Sequence, residues 1–151
     1  VLSITNVNGF KNCMCSEKKL AKALARMTYA FSNATCAKVN MITGEAYGSA
    51  YVFMNSKSIG ADLVYAWNDA KIGTMDPTMA AKIMYPDADA AEIKEKASEY
   101  GKLQSSATSA AARGYVDRII EPADSRKYLV AAFEMLYTKY VGEPEKKHGT
   151  K

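Results

Sequence analysis

The run Ala46-Tyr47-Gly48-Ser49-Ala50-Tyr51-Val52 constrains the fold of this 151-residue chain more than any other segment. The residues before it, 37–43, alternate between apolar and polar side chains, as in a short β-strand. The residues after it, 48–58, contain no helix breaker and predict a helix that begins near Gly48. A strand that passes through small residues directly into a helix is typical of a parallel α/β domain.

This turn could also bind a ligand. The first N–H groups of a helix have no partner within the helix and lie at its positive end. Gly48 lets the backbone turn without a Cβ clash, and Ser49 and Ala50 leave room for another group to approach. Such a turn suits the binding of an oxyanion, but small residues are also used here merely for packing, so both interpretations stay open on these residues alone.

Strand and helix patterns alternate along the rest of the chain and predict βα units around a parallel sheet. The predicted strands are a buried one at 1–7 and others at 37–43, 63–67, 70–75 and 115–120. The predicted helices run from Ser16, as N-cap, to Asn33 and over 48–58, 77–85 and 90–104, with a last helix that begins at Glu121-Pro122. The last helix is expected to bury Leu129, Ala132, Phe133, Leu136 and Tyr140. Residues 105–112 fit either a helix or an extended crossing.

Composition and charge exclude several classes of protein. The net charge is a modest +4 and no basic face is concentrated enough for nucleic acid. Three cysteines and the single His148 give no metal-binding pattern, and we expect a reduced, cytoplasmic protein without a metal site. No apolar stretch approaches the ~20 residues that span a bilayer, so direct membrane insertion is not expected.

Several ungapped segments carry a resemblance to a known family. These segments are Gly48-Ser49-Ala50-Tyr51, Met54-Asn55-Ser56-Lys57, Gly60-Ala61-Asp62-Leu63, Ala66-Trp67, Ala112-Arg113-Gly114-Tyr115-Val116-Asp117 and Ile120-Glu121-Pro122. Together they resemble the carboxyltransferase subunits of biotin-dependent acyl-CoA carboxylases and of the related sodium-pump acyl-CoA decarboxylases. The resemblance extends to about Tyr140, and its most specific part lies between Tyr47 and Ile72.

The resemblance implies an α/β fold of the crotonase/ClpP-like type, a ββα superhelix, here truncated at its N-terminal side. Residues 1–141 would be a fragment of the C-terminal, biotin-side domain, and 142–151 a polar, disordered tail. The implied partners are an acyl-CoA-binding domain of the same or a neighbouring subunit and a biotin carboxyl carrier domain. The implied assembly is a trimer-based homo-oligomer, and the isolated fragment is expected to be inactive.

The resemblance also implies the site and its reaction, the transfer of a carboxyl group between carboxybiotin and an acyl-CoA in either direction. The backbone N–H groups of Ser49 and Ala50 would form the oxyanion hole for the enolate-type oxygen of biotin. Tyr47, Gly48, Tyr51 and Asp76 would contact the substrate. Biotin would arrive on a partner protein, with no cofactor bound permanently.

The chain departs from the family pattern at several contact positions. Gly44-Glu45 replaces a basic pair, Ser49 and Asp76 replace glycines, and the 11–15 loop lacks the usual Leu-Pro-Gly. These changes fit a diverged substrate, or a degenerate copy that serves as a scaffold or assembly module. A third alternative is another crotonase-type enzyme that acts on a thioester through the same turn.

Single residues also have purely structural interpretations. Tyr47, Tyr51 and Trp67 suit core packing, and Asp76 suits the N-cap of the following helix.

Two basic residues are expected to play structural roles. Lys57 would cap or pair at the end of a helix, and Arg113 would anchor a loop or pair with Asp117.

Overall fold

A five-stranded parallel sheet forms the centre of the computed structural model, which describes residues 1–11 and 13–142. Its strands are β1 (Leu2–Val7), β2 (Val39–Tyr47), β3 (Leu63–Trp67), β4 (Lys71–Gly73) and β5 (Arg118–Ile120). The order across the sheet is β1-β2-β3-β5, and β4 also pairs with β2. Strand β3 lies beside residues 39–42 of β2 and β4 beside residues 45–47, so that β2 is flanked along most of its length. The parallel pairings confirm the predicted α/β class.

Six α-helices and two short 3-10 helices surround the sheet in the described part of the chain. They are α1 (Met14–Asn33), α2 (Gly48–Phe53), α3 (Pro77–Met84), α4 (Ala90–Gln104), α5 (Ala107–Ala112) and α6 (Ser125–Met135), with 3-10 turns at Lys57–Ile59 and Pro122–Asp124. Side-chain caps fix where three of them begin, because a capping oxygen satisfies an otherwise unpaired N–H group. Asp76 caps α3, Asp89 caps α4 and Ser106 caps α5.

The two faces of the sheet carry separate hydrophobic clusters. One face packs Ile42, Val64 and Ala66 against α5 and the β4 residue Ile72. The other face packs Val39, Met41 and Tyr65 beneath α6, whose Ala132 is buried. Because successive residues of a strand point to opposite faces, β2 and β3 supply both clusters at once.

The first strand is where the predicted burial is wrong. Strand β1 lies at the edge of the sheet, and Thr5 is its only buried residue, while Leu2 and Ile4 are 40% and 61% exposed. Its register places Leu2 and Ile4 beside Val39 and Met41, on the face that α6 covers only over the inner strands. An apolar composition alone does not distinguish an edge strand from a central one.

The predicted starts and lengths of several helices also need correction. Helix α1 begins at Met14, with Cys13 as its N-cap, so that Ser16 lies inside the first turn, with its Oγ 3.1 Å from Cys13 Sγ, and is not the predicted N-cap. Helix α2 ends at Phe53 instead of continuing to residue 58, because Asn55 adopts a left-handed conformation with φ of 56°. Asparagine tolerates this conformation better than most residues, and Asn55 Nδ2 donates to the carbonyl oxygen of Val39 at 3.3 Å.

The last helix is likewise shorter than predicted. Helix α6 stops at Met135, so that Tyr140 lies beyond it and is 90% exposed instead of buried. Leu129, Phe133 and Leu136 do pack against the second cluster, as the spacing predicts. The predicted strands 70–75 and 115–120 are shortened to β4 and β5, and the open segment 105–112 contains α5.

The predicted tail, 142–151, lies outside the described residues from residue 143 onward. Within residues 1–11 and 13–142, no helix combines the length and apolar character that crossing a membrane requires.

Candidate functional site

The turn between β2 and α2 has the backbone geometry that its sequence predicts. Strand β2 continues to Tyr47, and Gly48 opens α2 with φ of +61°. A side chain at position 48 would be strained in this left-handed conformation, and its Cβ would lie 3.1 Å from the carbonyl oxygen of Thr74. Glycine is therefore required here by both the backbone angle and the close approach of a neighbouring strand end.

The two predicted oxyanion donors follow this glycine but differ in access. Ser49 is exposed, whereas Ala50 is only 2% exposed. As the second and third residues of α2, their N–H groups have no acceptor four residues back within the helix. In the described ranges, neither N–H group donates to a loop or side-chain acceptor. Ser49 is thus the more exposed residue of the pair.

Ser49 borders a groove of about 500 Å³ between the 9–11 turn and helix α1. Its wall is mainly apolar and comes from Phe10 and the α1 residues Leu20, Ala21 and Leu24. The phenyl ring of Phe10 also packs against Phe53 of α2, with ring centroids 6.4 Å apart, which links the groove to the helix that follows the turn. This groove was not predicted, because the sequence gives no sign that α1 lies beside the turn.

Tyr47 points to a different side of the turn. It is 2% exposed, and its hydroxyl oxygen has no hydrogen-bond partner among the described residues. Burial, followed by the negative charges of Glu45 and Asp76, raises the pKa of Tyr47 to about 12. The phenol is therefore neutral at physiological pH and available as a hydrogen-bond donor.

Asp76 is placed by its capping role. Its Oδ1 accepts hydrogen bonds from the N–H groups of Thr78 at 2.9 Å and Met79 at 3.2 Å, which confirms the structural interpretation of this residue. It also lines, together with Tyr47, a cavity of about 560 Å³ bounded by β4, α4 and α5. A contact between Asp76 and substrate stays a prediction.

Tyr51 belongs to the core rather than to either opening. It is 7% exposed and lies in the first hydrophobic cluster. Burial, with a smaller effect of Tyr115, raises the pKa of Tyr51 to about 12. The predicted site residues thus fall into three surroundings: Ser49 at the groove, Tyr47 and Asp76 at the cavity, and Tyr51 in the core. The substrate roles assigned to them remain predictions.

The unusual Gly44-Glu45 step has a structural reason. A Cβ at Gly44 would lie 2.7 Å from Asn6 Oδ1, which itself accepts a hydrogen bond from the N–H group of Glu45 at 2.9 Å. The β1–β2 register shifts at this point, between Thr5 and Val7. Glycine at 44 therefore makes room for the Asn6 side chain at an irregularity of the sheet.

Other side chains singled out from the sequence have structural partners. Trp67 is half-buried against the second cluster, and its Nε1 donates to Ser125 Oγ at 2.9 Å. Lys57 forms an ion pair with Asp117, and of the two roles expected for Arg113 the structure shows the anchoring of a loop and not the pairing with Asp117. Arg113 Nη2 donates instead to Gln104 Oε1, across the α4–α5 connection.

Several polar residues around the cavity were missed by sequence reasoning. Lys94 and Lys102 lie eight residues apart on α4 and share its cavity side with Ser98 and Gly101. That spacing of 94, 98, 101 and 102 follows one helix face and was the available signal. The described residues contain no cluster of histidine, cysteine and acidic side chains that could hold a metal ion.

Comparison with solved structures shows the class of fold to which this chain belongs. The chain superimposes on the transcarboxylase 12S structure with methylmalonyl-coenzyme A and methylmalonic acid bound, with a TM-score of 0.92 and 38% identity, over 98% of this chain and 29% of that one. The β subunit of geranyl-CoA carboxylase from P. aeruginosa shows the same fold at a TM-score of 0.76 and 21% identity, over 95% of this chain and 30% of that one. The protein therefore has the crotonase-like α/β fold of the carboxyltransferases.

Sequence comparison gives the family. The chain matches the carboxyl transferase domain over residues 1–150 and belongs to that family. It is 44% identical to a putative propionyl-CoA carboxylase beta chain from Bacillus subtilis, over 99% of this chain and 31% of that protein. It is also 44% identical to the methylmalonyl-CoA decarboxylase alpha subunit of Propionigenium modestum, over 99% of this chain and 30% of that protein. The chain thus spans about a third of the length of these relatives.

Proposed function

We propose that this chain is the biotin-side part of a carboxyltransferase that moves a carboxyl group between carboxybiotin and an acyl-CoA, in the direction of carboxylation or of decarboxylation. The relatives that support this are a carboxylase beta chain and a decarboxylase alpha subunit. Carboxybiotin, carried on a partner protein, would supply or accept the carboxyl group. An acyl-CoA-binding domain of the same or a neighbouring subunit, in a trimer-based homo-oligomer, would present the acyl-CoA.

The observation that carries the proposal is the positive φ of Gly48 at the start of α2. The residue that follows, Ser49, is exposed and lines the groove of Phe10 and α1. In the proposed reaction the N–H groups of Ser49 and Ala50 hold the oxygen on which negative charge develops. Removing one such donor typically costs about 3–4 kcal/mol of transition-state stabilisation.

The apolar groove would receive the bicyclic ring of biotin. Leu20 and Leu24 provide an apolar wall, and Ser49 lies at its polar end, an arrangement common in small-molecule sites. Tyr47, Gly48, Tyr51 and Asp76 remain proposed substrate contacts; of these, Gly48 adjoins the donors directly. No side chain of the turn has to act as acid or base in this scheme.

Titration with free biotin, followed by NMR of the backbone amides, tests the proposal. We expect saturable shifts at residues 48–50 and at Phe10 at millimolar biotin. Ser49→Trp would fill the groove and abolish these shifts, whereas Ser58→Trp, at another exposed serine, would leave them unchanged. Ser49→Gly, which restores the family residue, should strengthen binding.

Two outcomes would count against the proposal. One is the absence of any biotin-dependent shift in a sample whose spectrum is that of a folded protein. The other is binding that Ser49→Trp and Ser58→Trp weaken equally. Either result would favour the assembly-module alternative, in which the chain keeps the fold and has lost the site.

A further inference from the structure

The cavity beside Tyr47 is separate from the proposed biotin groove. It has a volume of about 560 Å³, within the range of about 300–1,000 Å³ common for small-molecule sites. It lies between β4, the start of α3, and helices α4 and α5. It shares no lining residue with the groove of Ser49. A ligand here would therefore be held by a different set of residues.

Two buried hydroxyl groups of this cavity have no hydrogen-bond partner within residues 1–11 and 13–142. Tyr47 is 2% exposed and Ser105 is 1% exposed, both line the cavity, and neither hydroxyl oxygen forms a hydrogen bond within the described ranges. They adjoin a common neighbour, because Gly73 pairs with Tyr47 in the sheet and a Cβ on Gly73 would lie 3.0 Å from Ser105 Oγ. Buried polar groups without a partner are uncommon in native proteins, since each costs about 1–3 kcal/mol.

Three lysines surround the same cavity. Lys71 comes from β4, and Lys94 and Lys102 come from α4. None of the three forms an ion pair in the part of the chain that is described. Lysines that converge without acidic partners form an attractive site for an anion.

The acidic residues of the cavity do not cancel this charge. Asp69 and Asp76 also line it, and three lysines against two aspartates leave a net charge of +1. Asp76 directs its Oδ1 to the first N–H groups of α3, where the helix end offsets its charge. Asp69 is exposed at the surface.

We propose that this cavity binds a small organic molecule through a phosphate group, which Lys71, Lys94 and Lys102 attract and to which the hydroxyls of Tyr47 and Ser105 donate. The volume exceeds what a bare phosphate needs, and the apolar lining of Pro77, Ala97 and Ala107 suits an organic part of the ligand. This proposal does not depend on biotin binding at Ser49.

Titration of the 151-residue chain with inorganic pyrophosphate, and separately with adenosine diphosphate, tests it by NMR. We expect saturable shifts at Lys71, Ser105 and Thr108, and none at Ser49. Tighter binding of adenosine diphosphate supports the proposal. Equal or tighter binding of pyrophosphate would mean a site for an inorganic anion and would contradict the proposed organic part of the ligand.

Variants distinguish specific phosphate binding in the cavity from non-specific electrostatic attraction to a basic protein. Tyr47→Phe and Ser105→Ala each remove only a hydroxyl group and should each weaken binding about ten-fold. Lys102→Gln should weaken it about three- to ten-fold at low salt, with a smaller effect at high salt. Lys82→Gln, at an exposed lysine of α3 outside the cavity, is the matched control and should leave the affinity unchanged.

Two results would overturn the proposal. The first is an affinity that Tyr47→Phe and Ser105→Ala leave within two-fold of the parent chain. The second is equal weakening by Lys82→Gln and Lys102→Gln, which would mean non-specific charge attraction only. Because Tyr47→Phe keeps the ring that fills the core, a folded spectrum of this variant makes either result decisive.

Discussion

Lys57 and Asp117 are 60 residues apart in the chain, and Lys57 Nζ lies 2.8 Å from Asp117 Oδ2. The same carboxylate oxygen accepts the N–H group of Val64 at 2.8 Å, and Lys57 Nζ also donates to the carbonyl oxygen of Asp62 at 3.0 Å. The pair therefore joins the first 3-10 turn to the start of β3 and to the segment before β5. A connection between distant segments stabilises the sheet even though each side chain is about a third exposed (33% and 31%).

Lys57→Met should lower the free energy of unfolding by about 1 kcal/mol, because it breaks this pair and leaves the carboxylate with fewer partners. Urea denaturation measures the change. Lys96→Met is the control, since Lys96 contacts two exposed side chains, Glu99 at 3.4 Å and the ring of Tyr85 at 5.6 Å from its centroid, and should change stability by about 0.5 kcal/mol or less. Equal effects of the two substitutions would contradict the assigned role of Lys57.

Asp62 should make stability depend on pH in acid. Burial raises its pKa, but the hydrogen bonds from Lys139 and from the N–H group of Lys38, together with the charges of these lysines, lower it below the ordinary value. The folded-state pKa is depressed, so this contribution is present above the ordinary carboxyl pKa of about 4 and is lost as the pH falls through the lower folded value.

Asp62→Asn should therefore lose less stability than the parent chain between about pH 7 and pH 3. Denaturation curves at a series of pH values give the two slopes. Asp87→Asn, at an exposed position, should behave like the parent chain. An unchanged slope in Asp62→Asn would show that the hydrogen bonds of Asp62 do not favour its charged form.

Gly48→Ala should destabilise the protein by more than the strain of a left-handed alanine alone, which is about 1–2 kcal/mol. The added Cβ would also press against the carbonyl oxygen of Thr74, at 3.1 Å. Gly114→Ala is the matched variant, because Gly114 has φ of +81° but open space around its Cβ. Urea denaturation of both variants isolates the steric part; equal losses would mean that the Thr74 contact has no cost.

Tyr47 and Tyr51 should make the fold sensitive to alkali. The pKa of each is raised to about 12, chiefly by burial, so the unfolded chain releases these protons first. Stability that the neutral phenols provide is complete below their ordinary pKa of about 10 and is lost as the pH rises toward 12. Compared with the parent chain, the double variant Tyr47→Phe/Tyr51→Phe should lose less stability between about pH 9 and pH 11, as measured by denaturation. Tyr137→Phe, at an 89% exposed tyrosine, is the control and should lose as much stability as the parent chain.

Local signals in the sequence predict much of this fold. The apolar run Leu63–Trp67 predicts β3, and the cap at Asp76 predicts the start of α3, because each depends on residues that are neighbours in the chain. The edge position of β1 and the exposure of Tyr140 depend instead on which distant segments cover them. That information is absent from local periodicity.

The candidate site likewise has features that the local sequence predicts and features that depend on distant segments. The positive φ of Gly48 follows from the small-residue turn itself. The groove needs α1 to lie beside Ser49, and the cavity needs Lys71 and Lys102 to meet from different elements. Neither contact between distant segments can be predicted from the residues next to the turn. The spacing of Lys94 and Lys102 on α4 shows only that they share a helix face.

The two hydrophobic clusters on opposite faces of the sheet have a consequence for how strand β2 finds its place. A shift of one residue would move Val39 and Met41 out of the cluster beneath α6 and, at the same time, move Ile42 into it. Misalignment would thus disrupt both layers in a single step. Errors of strand register during folding should therefore cost more at β2 than at β1, where Thr5 is buried but Leu2 and Ile4 are exposed.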